Sequence, residues 1–235
     1  MNIAVISDLH LGSDDETDSF GHDDAEFLRF LTFLERNFER VVLLGDIWET
    51  LASRCPWRAR RALTQARERH PELARRFSGS RYKYIHGNHD LVAGRVEGAP
   101  ERCSLDVDGK RLLFMHGHGH DRLIHMARHV VELGVCIGGW LRRAGFHGLY
   151  QRLDELDQKR SRVSLDAQSC SFQAWALDMA AGAGADIVVT GHTHIPVATE
   201  HGRRIFMNSG SCSRGRFTFL ALDTRLDSYR VHHAW

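Results

Sequence analysis

The stretch RVVLLGD, residues 40–46, decides the fold. Val41 to Leu44 run apolar without interruption and stop at glycine and aspartate. A strand with one wet face alternates apolar and polar side chains, whereas a strand covered on both faces shows no polar side. NIAVIS (2–7) repeats the pattern. Between the two, DDAEFLRFLTFLERNF (23–38) places Phe27, Phe30, Leu31 and Leu34 at helical spacing, with Asp23 or Asp24 available as the cap. The opening is therefore strand, helix, strand. Further along, RYKYIHGNHD (81–90) reads as a strand breaking at Gly87, and RCSLDVDGKRLLFMHG (102–117) as a hairpin turning at Asp108-Gly109. DIVVTGH (186–192), RRIFMNSG (203–210) and RFTFLALDTRLDSYRVHH (216–233) supply more strands. Two mixed β-sheets flanked by helices, an α/β (α+β) class, account for this order.

Residues 118–185 break the rhythm: they hold no clear strand, but helical stretches around Arg122 to Leu141, Leu149 to Arg160 and Ala167 to Ala181. They read as a helical cap inserted into a single domain spanning 1–235. With 235 residues, 43% of them hydrophobic, the chain is long enough for one large core. Its 31 basic and 30 acidic residues leave a formal charge of +1, so no overall field draws a polyanion and no stable nucleic-acid partner is expected. Five scattered cysteines without a Cys-x-x-Cys pair argue against a disulfide framework or a thiolate zinc site. The start, MNIAVISDLHLG, lacks a basic leader and meets Asp8 early, and nowhere do about 18 uncharged apolar residues run together, so a cytoplasmic, non-spanning protein is expected.

The strand ends carry the chemistry. VVTGHTHIPV (188–197) runs a buried strand into Gly191-His192-Thr193-His194. If the chain stays extended past Gly191, both imidazoles point the same way and reach one site. The other predicted strands end at Asp8-Leu9-His10, Gly45-Asp46, Gly87-Asn88-His89-Asp90 and His116-Gly117-His118. A carboxylate, imidazole or amide thus stands wherever a buried strand gives way to a loop, which is where sites collect in sheet-containing enzymes.

This set resembles the calcineurin-like metallophosphoesterases, whose pattern is Asp-x-His, Gly-Asp-x-x-Asp, Gly-Asn-His-Asp/Glu, a lone His and Gly-His-x-His. The likeness runs from Asp8 to His194. It implies a four-layer sandwich and two divalent metal ions per chain. Asp8, His10, Asp46 and His194 would hold one ion; Asp46, Asn88, His116 and His192 would hold the other, with Asp46 bridging. A donor set of carboxylate, imidazole and amide suits Mn²⁺, Fe²⁺ or Zn²⁺ without choosing among them, and Mn²⁺ is the first expectation. Two such ions acidify a shared water and polarise phosphoryl oxygens, so no protein nucleophile is required. In the family, the histidine after the asparagine, here His89, protonates the leaving oxygen or binds the phosphate. Its partner is commonly aspartate; this chain has Glu49, and Asp90 is the second candidate.

Within the superfamily, the insertion after His116 and the GDIWE form (45–49) resemble the bacterial enzymes that split UDP-2,3-diacylglucosamine in lipid A synthesis, many of which carry arginine in place of His89. The resemblance implies a small phosphoester substrate, a nucleotide-linked lipid, and peripheral contact with the inner membrane. The segment 125–146 sets Val130, Val131, Leu133, Ile137, Trp140 and Leu141 beside Arg142 and Arg143, a stripe suited either to acyl chains next to phosphate or to packing on the domain. In the arginine-rich stretch 54–70, most guanidinium groups read as a solvated face, with Arg58 and Arg61 as candidates for clamping a diphosphate. His118, beside the lone histidine, and Arg214, within NSGSCSRGR (208–216), complete the substrate-binding candidates. The alternatives are a different small phosphoester or nucleotide as substrate, and a binding scaffold that keeps the fold without the chemistry. The oligomeric state is open.

Overall fold

The computed structural model describes residues 1–13, 18–51, 58–120 and 171–235. In chain order the elements are β1 (Asn2–Ile6), α1 (Asp24–Asn37), β2 (Arg40–Leu44), α2 (Ala59–Arg69), α3 (Pro71–Phe77), β3 (Tyr82–Ile85), α4 (Leu91–Glu97), β4 (Arg102–Val107), β5 (Lys110–Met115), α5 (Ser171–Gly182), β6 (Ile187–Thr190), β7 (Val197–His201), β8 (Arg204–Asn208), β9 (Phe219–Asp223) and β10 (Ser228–His232). The strands form two five-stranded sheets, ordered β10-β9-β1-β2-β3 and β4-β5-β6-β8-β7. Each sheet is mixed: β1, β2 and β3 run parallel, as do β5, β6 and β8, while the remaining strands pair antiparallel at the flanks.

Alternation along each strand builds the layers. Ile3 and Val5 of β1 face Leu112, Phe114, Ile187 and Val189 of the second sheet, while Ala4 and Ile6 face the helices. The uninterrupted apolar run has this physical cause: both faces of the strand are covered. On the outer side of the first sheet, α1 buries the expected Phe27, Phe30, Leu31 and Leu34. Asp23, not Asp24, is its cap, accepting the Glu26 N–H at 3.1 Å. A Phe30→Ala change in this layer costs about 3–5 kcal/mol by loss of contacts and the cavity left behind. On the outer side of the second sheet, α5 lays Phe172, Ala176 and Ala180 against Leu113, Met115, Val188 and Phe206. The order is helix, sheet, sheet, helix.

Several details differ from the sequence reading. The helix expected around Ala167 to Ala181 is described from Ser171 and packs in the core of the second sheet, so this end of the inserted stretch is part of the sandwich. Most of the expected cap, 121–170, lies outside the described residues. Helices α3 and α4 and strand β7 were not anticipated; their short length leaves too few turns or alternations for a periodic signal. The Asp108-Gly109 turn forms as expected, both residues at positive φ (51° and 77°), the backbone that this dipeptide tolerates best. Among the described residues, no helix is long and apolar enough to cross a membrane.

Candidate functional site

The carboxyl ends of both parallel triplets meet at one edge of the sandwich. Beyond β1 and β2 the loops stay laddered: Asp8 N–H donates to the Gly45 carbonyl at 3.0 Å, His10 to Asp46 at 3.0 Å, and Glu49 to Leu11 at 2.8 Å. The second sheet continues likewise, with Gly191 N–H donating to the His116 carbonyl at 3.0 Å and Ser209 to Thr190 at 2.8 Å. Residues on different loops are thereby held in register. Ligating atoms gather in three groups: Asp8, His10 and His194; Asp46, His116 and His192; and His10, Glu49 and His89, the atoms of each group lying within 4.8 Å of one another.

The expectation that His192 and His194 share one direction fails. Both have positive φ, 70° and 58°, so the chain is not extended past Gly191, and the two imidazoles join different groups. Asp8, His10 and Asp46 are also at positive φ. Five of the eight non-glycine residues in this strained region, among those described, are thus ligand candidates. Strain of this kind costs about 1–3 kcal/mol per residue and persists where the surroundings over-determine it. Close packing adds a further demand. A Cβ on Gly45, itself at φ 84°, would meet the His116 ring at 2.5 Å, and one on Gly87 would meet Asp46 Oδ1 at 2.2 Å.

Asp46 occupies the seam. Its Oδ2 stands 3.1 Å from His116 Nε2, and its Oδ1 accepts the His89 N–H at 2.8 Å. Across the site, Asp8 Oδ1 stands 3.1 Å from His194 Nε2, while Asp8 Oδ2 accepts from Ser7 Oγ and from His192 N–H at 3.2 Å. His116 Nδ1 donates to the Leu44 carbonyl at 2.9 Å, which orients the ring and aims Nε2 at the site. Burial opposes the charge on Asp46, but the His116 and His89 imidazoles hold its carboxyl well below the usual range. Burial pulls His116 down, yet Asp46 and Asp8 raise it to about 9. His192 is lowered to about 3 by burial and by neighbouring His116.

These residues fit a pair of cations. Four carboxylates, Asp8, Asp46, Glu49 and Asp90, are at most 8% exposed, and buried charge is costly without a counter-charge. Asp8 Oδ1, His10 Nε2, Asn88 Oδ1 and His116 Nε2 are all buried without a hydrogen-bond partner, each belonging to a residue expected to be a ligand. No thiolate joins a ligand group among the described residues: Cys212 is buried in the core and bonded to the Thr218 carbonyl, and Cys103 lies on β4.

Glu49 and Asp90 divide the tasks that the sequence left between them. Glu49 Oε2 lies 2.7 Å from His89 Nδ1 and 3.4 Å from His10 Nδ1. Burial opposes the imidazolium, but Glu49 and Asp46 raise His89 to about 10, and the two imidazoles hold Glu49 well below the carboxylate range. Asp90 instead accepts backbone N–H groups from Asp46 at 3.3 Å, Ile47 at 2.8 Å, Trp48 at 3.4 Å and Gly87 at 2.6 Å, plus the Tyr84 hydroxyl at 2.5 Å. It braces two ligand loops and makes no hydrogen bond to the His89 ring among the described residues.

The substrate-binding candidates are less gathered. His118 is buried beside His116, ring centroids 5.7 Å apart, and burial, with His116 second, lowers it to about 3. Arg58 and Arg61 are exposed at the start of α2. Arg214 lies in an exposed turn at φ 57°, its N–H donating to the Ser19 carbonyl at 2.8 Å. None of the three falls in a ligand group. Arg142 and Arg143 lie outside the described residues. Arg67 departs from the solvated-face reading: it stacks over Trp48 at 5.5 Å and donates to Glu97 of α4 at 2.7 Å. Sequence reasoning missed the small polar supports. Ser7 bonds Ser209 at 2.6 Å, Ser211 Oγ donates to the Asp8 carbonyl at 3.0 Å, and Asn208 donates to the Gly191 carbonyl at 2.6 Å. Their one sequence signal is position, just before or after a strand-end motif.

A family model described as the calcineurin-like phosphoesterase superfamily domain matches residues 1–139. A UDP-2,3-diacylglucosamine hydrolase of Blochmanniella pennsylvanica is 26% identical over 221 residues, covering 83% of this chain and 80% of that one. A second, from Shigella dysenteriae, is 31% identical over 125 residues, covering 50% of this chain and 48% of its relative, so the chain spans about half the length of that one. A single-mutant Vps29 from Entamoeba histolytica shares the fold, with a TM-score of 0.51 at 15% identity over 95% of this chain and 86% of the other. The matched model stops short of Gly191, and His192 and His194 join its ligand candidates through the second sheet. With the motifs in order and their side chains at one edge, this chain belongs to the calcineurin-like phosphoesterase superfamily and is a metal-dependent phosphoesterase.

Proposed function

We propose that this protein hydrolyses a phosphodiester or phosphoanhydride, with Asp8, His10, Asp46 and His194 holding one divalent ion and Asp46, Asn88, His116 and His192 the second. The observation that carries the reading is the seam position of Asp46, 2% exposed, within reach of one imidazole group and hydrogen-bonded through its loop to the other. When bound, such a pair supplies Lewis acidity and an activated water. The oxygen and imidazole donors, without sulfur, suit Mn²⁺, Fe²⁺ or Zn²⁺, and manganese is the ion tested first.

The chain's own residues supply orientation and a proton. His116 and His10 each turn Nδ1 toward a fixed acceptor, the Leu44 carbonyl and Glu49, and present Nε2 to the site. His89 takes the part of general acid: Glu49 holds Nδ1 and favours the protonated ring, leaving Nε2 to donate to the leaving oxygen. Asp90 keeps the loops of Asp46 and Asn88 at one spacing. The two relatives named as UDP-2,3-diacylglucosamine hydrolases support a nucleotide-linked, acylated substrate, and such a substrate agrees with a cytoplasmic protein touching the inner membrane at its periphery.

Stripping metal should abolish hydrolysis of bis(p-nitrophenyl) phosphate, and Mn²⁺ should restore it; full activity after exhaustive chelation sinks the dinuclear reading. For the substrate, UDP-2,3-diacylglucosamine should exceed UDP-N-acetylglucosamine in kcat/KM by more than tenfold, because burying even two methylenes contributes about 1.6 kcal/mol. Equal values remove the lipid and leave the phosphoesterase.

A further inference from the structure

Ser7 stands between β1 and Asp8, fully buried, and its side chain reaches across to the second sheet. Its hydroxyl contacts Asp8 Oδ2, lies 2.6 Å from Ser209 Oγ just beyond β8, and lies 3.2 Å from the Gly210 carbonyl. Each serine hydroxyl carries one proton, so the donors can be counted. A carboxylate is a stronger acceptor than a hydroxyl or a carbonyl, and it takes the Ser7 proton. Ser209 is then the donor to Ser7. The other acceptor near Ser209 Oγ, the Thr190 carbonyl at 3.1 Å, already receives the Ser209 N–H at 2.8 Å. A chain of two hydroxyls thus runs from the second sheet and ends on the Asp8 carboxylate.

The two oxygens of Asp8 divide their tasks accordingly. Oδ2 takes the Ser7 hydroxyl and the His192 N–H at 3.2 Å, while Oδ1, buried without a hydrogen-bond partner, stands 3.1 Å from His194 Nε2. Gly191 makes room for this arrangement. A Cβ there would meet Ser7 Oγ at 2.7 Å and Asp8 Oδ2 at 2.8 Å, so the glycine is required for space, its φ not being positive. The other ligand group leans on different supports: His116 on the Leu44 carbonyl, and the Asp46 loop on Asp90. Among the described residues, no serine hydroxyl bonds the side chains of Asp46, Asn88 or His116.

We propose that Ser7 is a positioning residue for one ion of the pair: through Asp8 Oδ2 it fixes the carboxylate for the ion held with His10 and His194, and it leaves the ion held by Asn88, His116 and His192 to its own supports. The inference deepens the dinuclear reading and rests on it. Without the Ser7 hydroxyl, Oδ2 keeps only the longer bond from the His192 backbone, and the carboxylate loses the contact that sets its rotation. Loss of such an outer hydrogen bond weakens metal binding by about 10- to 100-fold, and here the loss falls on one ion.

The test is equilibrium dialysis against buffered free Mn²⁺, with electron paramagnetic resonance of the bound ions. The wild-type protein should take up the pair and show the spectrum of spin-coupled neighbours. At the same free Mn²⁺, Ser7→Ala should hold one ion and show the hyperfine pattern of an isolated Mn²⁺, regaining the pair only at about 10- to 100-fold more metal. Ser209→Ala, which removes the donor behind Ser7, should move the same ion by a smaller factor. Ser211→Ala is the comparison, because that hydroxyl bonds the Asp8 carbonyl and not its carboxylate. An intact pair in Ser7→Ala, equal weakening of both ions, or a Ser211→Ala variant that matches Ser7→Ala overturns the proposal. Should Ser7→Ala fail to fold, Ser209→Ala decides by the same spectra, a coupled pair at every Mn²⁺ level being the overturning result. If the wild-type protein takes up no pair, the dinuclear reading falls and this inference with it; a wild-type pair that Ser7→Ala leaves unchanged removes the role of Ser7 alone.

Discussion

His89 and His70 each place Nδ1 2.7 Å from a carboxylate oxygen, Glu49 Oε2 for one and Asp24 Oδ1 for the other. The surroundings of the second ring nitrogen separate them. His70 sits at the junction of α2 and α3, with Nε2 3.4 Å from Asp18 Oδ2, so both nitrogens face carboxylates and the ring ties that junction to α1. His89 leaves β3 at the ligand edge, and its Nε2 makes no hydrogen bond to any described residue, although a fifth of the side chain is exposed. An imidazole held by a carboxylate is therefore no sign of catalysis in itself. The distinguishing feature is a second nitrogen left for a substrate.

Breaking the pair at the ligand edge should have the largest effect. His89→Ala is expected to lower turnover on poor leaving groups by roughly 100-fold, the size of general acid catalysis, with metal content by elemental analysis unchanged. Unaltered turnover on those substrates would make His89 a bystander. Glu49→Gln keeps the shape but removes the charge that favours the protonated ring. A loss of about tenfold in kcat, smaller than for His89→Ala, is the expected outcome, within the range for residues that orient a functional group. A loss equal to that of metal removal would instead place Glu49 among the ligands.

The remote pair sharpens the contrast. His70→Ala should leave hydrolysis unchanged and lower unfolding free energy by about 1 kcal/mol in a denaturant titration. Its pH dependence has a defined sign. Burial opposes the charge on His70, but Asp18 and Asp24 raise its pKa above the ordinary 6.5. The folded chain therefore binds this proton more tightly than the unfolded chain. The contribution is complete below pH 6.5 and is lost as pH rises through the raised value, so the wild-type and His70→Ala stabilities should converge toward alkaline pH. A gap that widens there would refute the assignment.

Both pairs show what could be read in advance. His89 stood in a motif beside a strand end, so its neighbourhood was legible before any fold was known. The partnership of His70 was not, because Asp18 and Asp24 reach it from a distant part of the chain. Similarly, Arg67 looked like one of a solvated row until α4 brought Glu97 and the loop after β2 brought Trp48 to it. The sequence put Glu49 first and Asp90 second as partners for His89, on motif position alone. The geometry separates them, since Asp90 has turned to the N–H groups of the neighbouring loop.

By itself the sequence determined the strands that are covered on both faces, the amphipathic face of α1, the Asp108-Gly109 turn and the residue types at every strand end. These are properties of local pattern, in which side-chain periodicity and turn chemistry act over a few residues. The family resemblance had already assigned His192 and His194 to different ions with Asp46 between them; only the tertiary structure decided the geometry: both histidines stand at positive φ in separate groups, Asp46 Oδ2 lies 3.1 Å from His116 Nε2, and Ser7, Asn208 and Ser211 brace loops from the far side. The reason is that each of these contacts closes between segments far apart in the chain, where the parallel order of β1-β2-β3 and β5-β6-β8 brings their carboxyl ends to one edge, and no local pattern encodes which distant atom arrives within 3 Å.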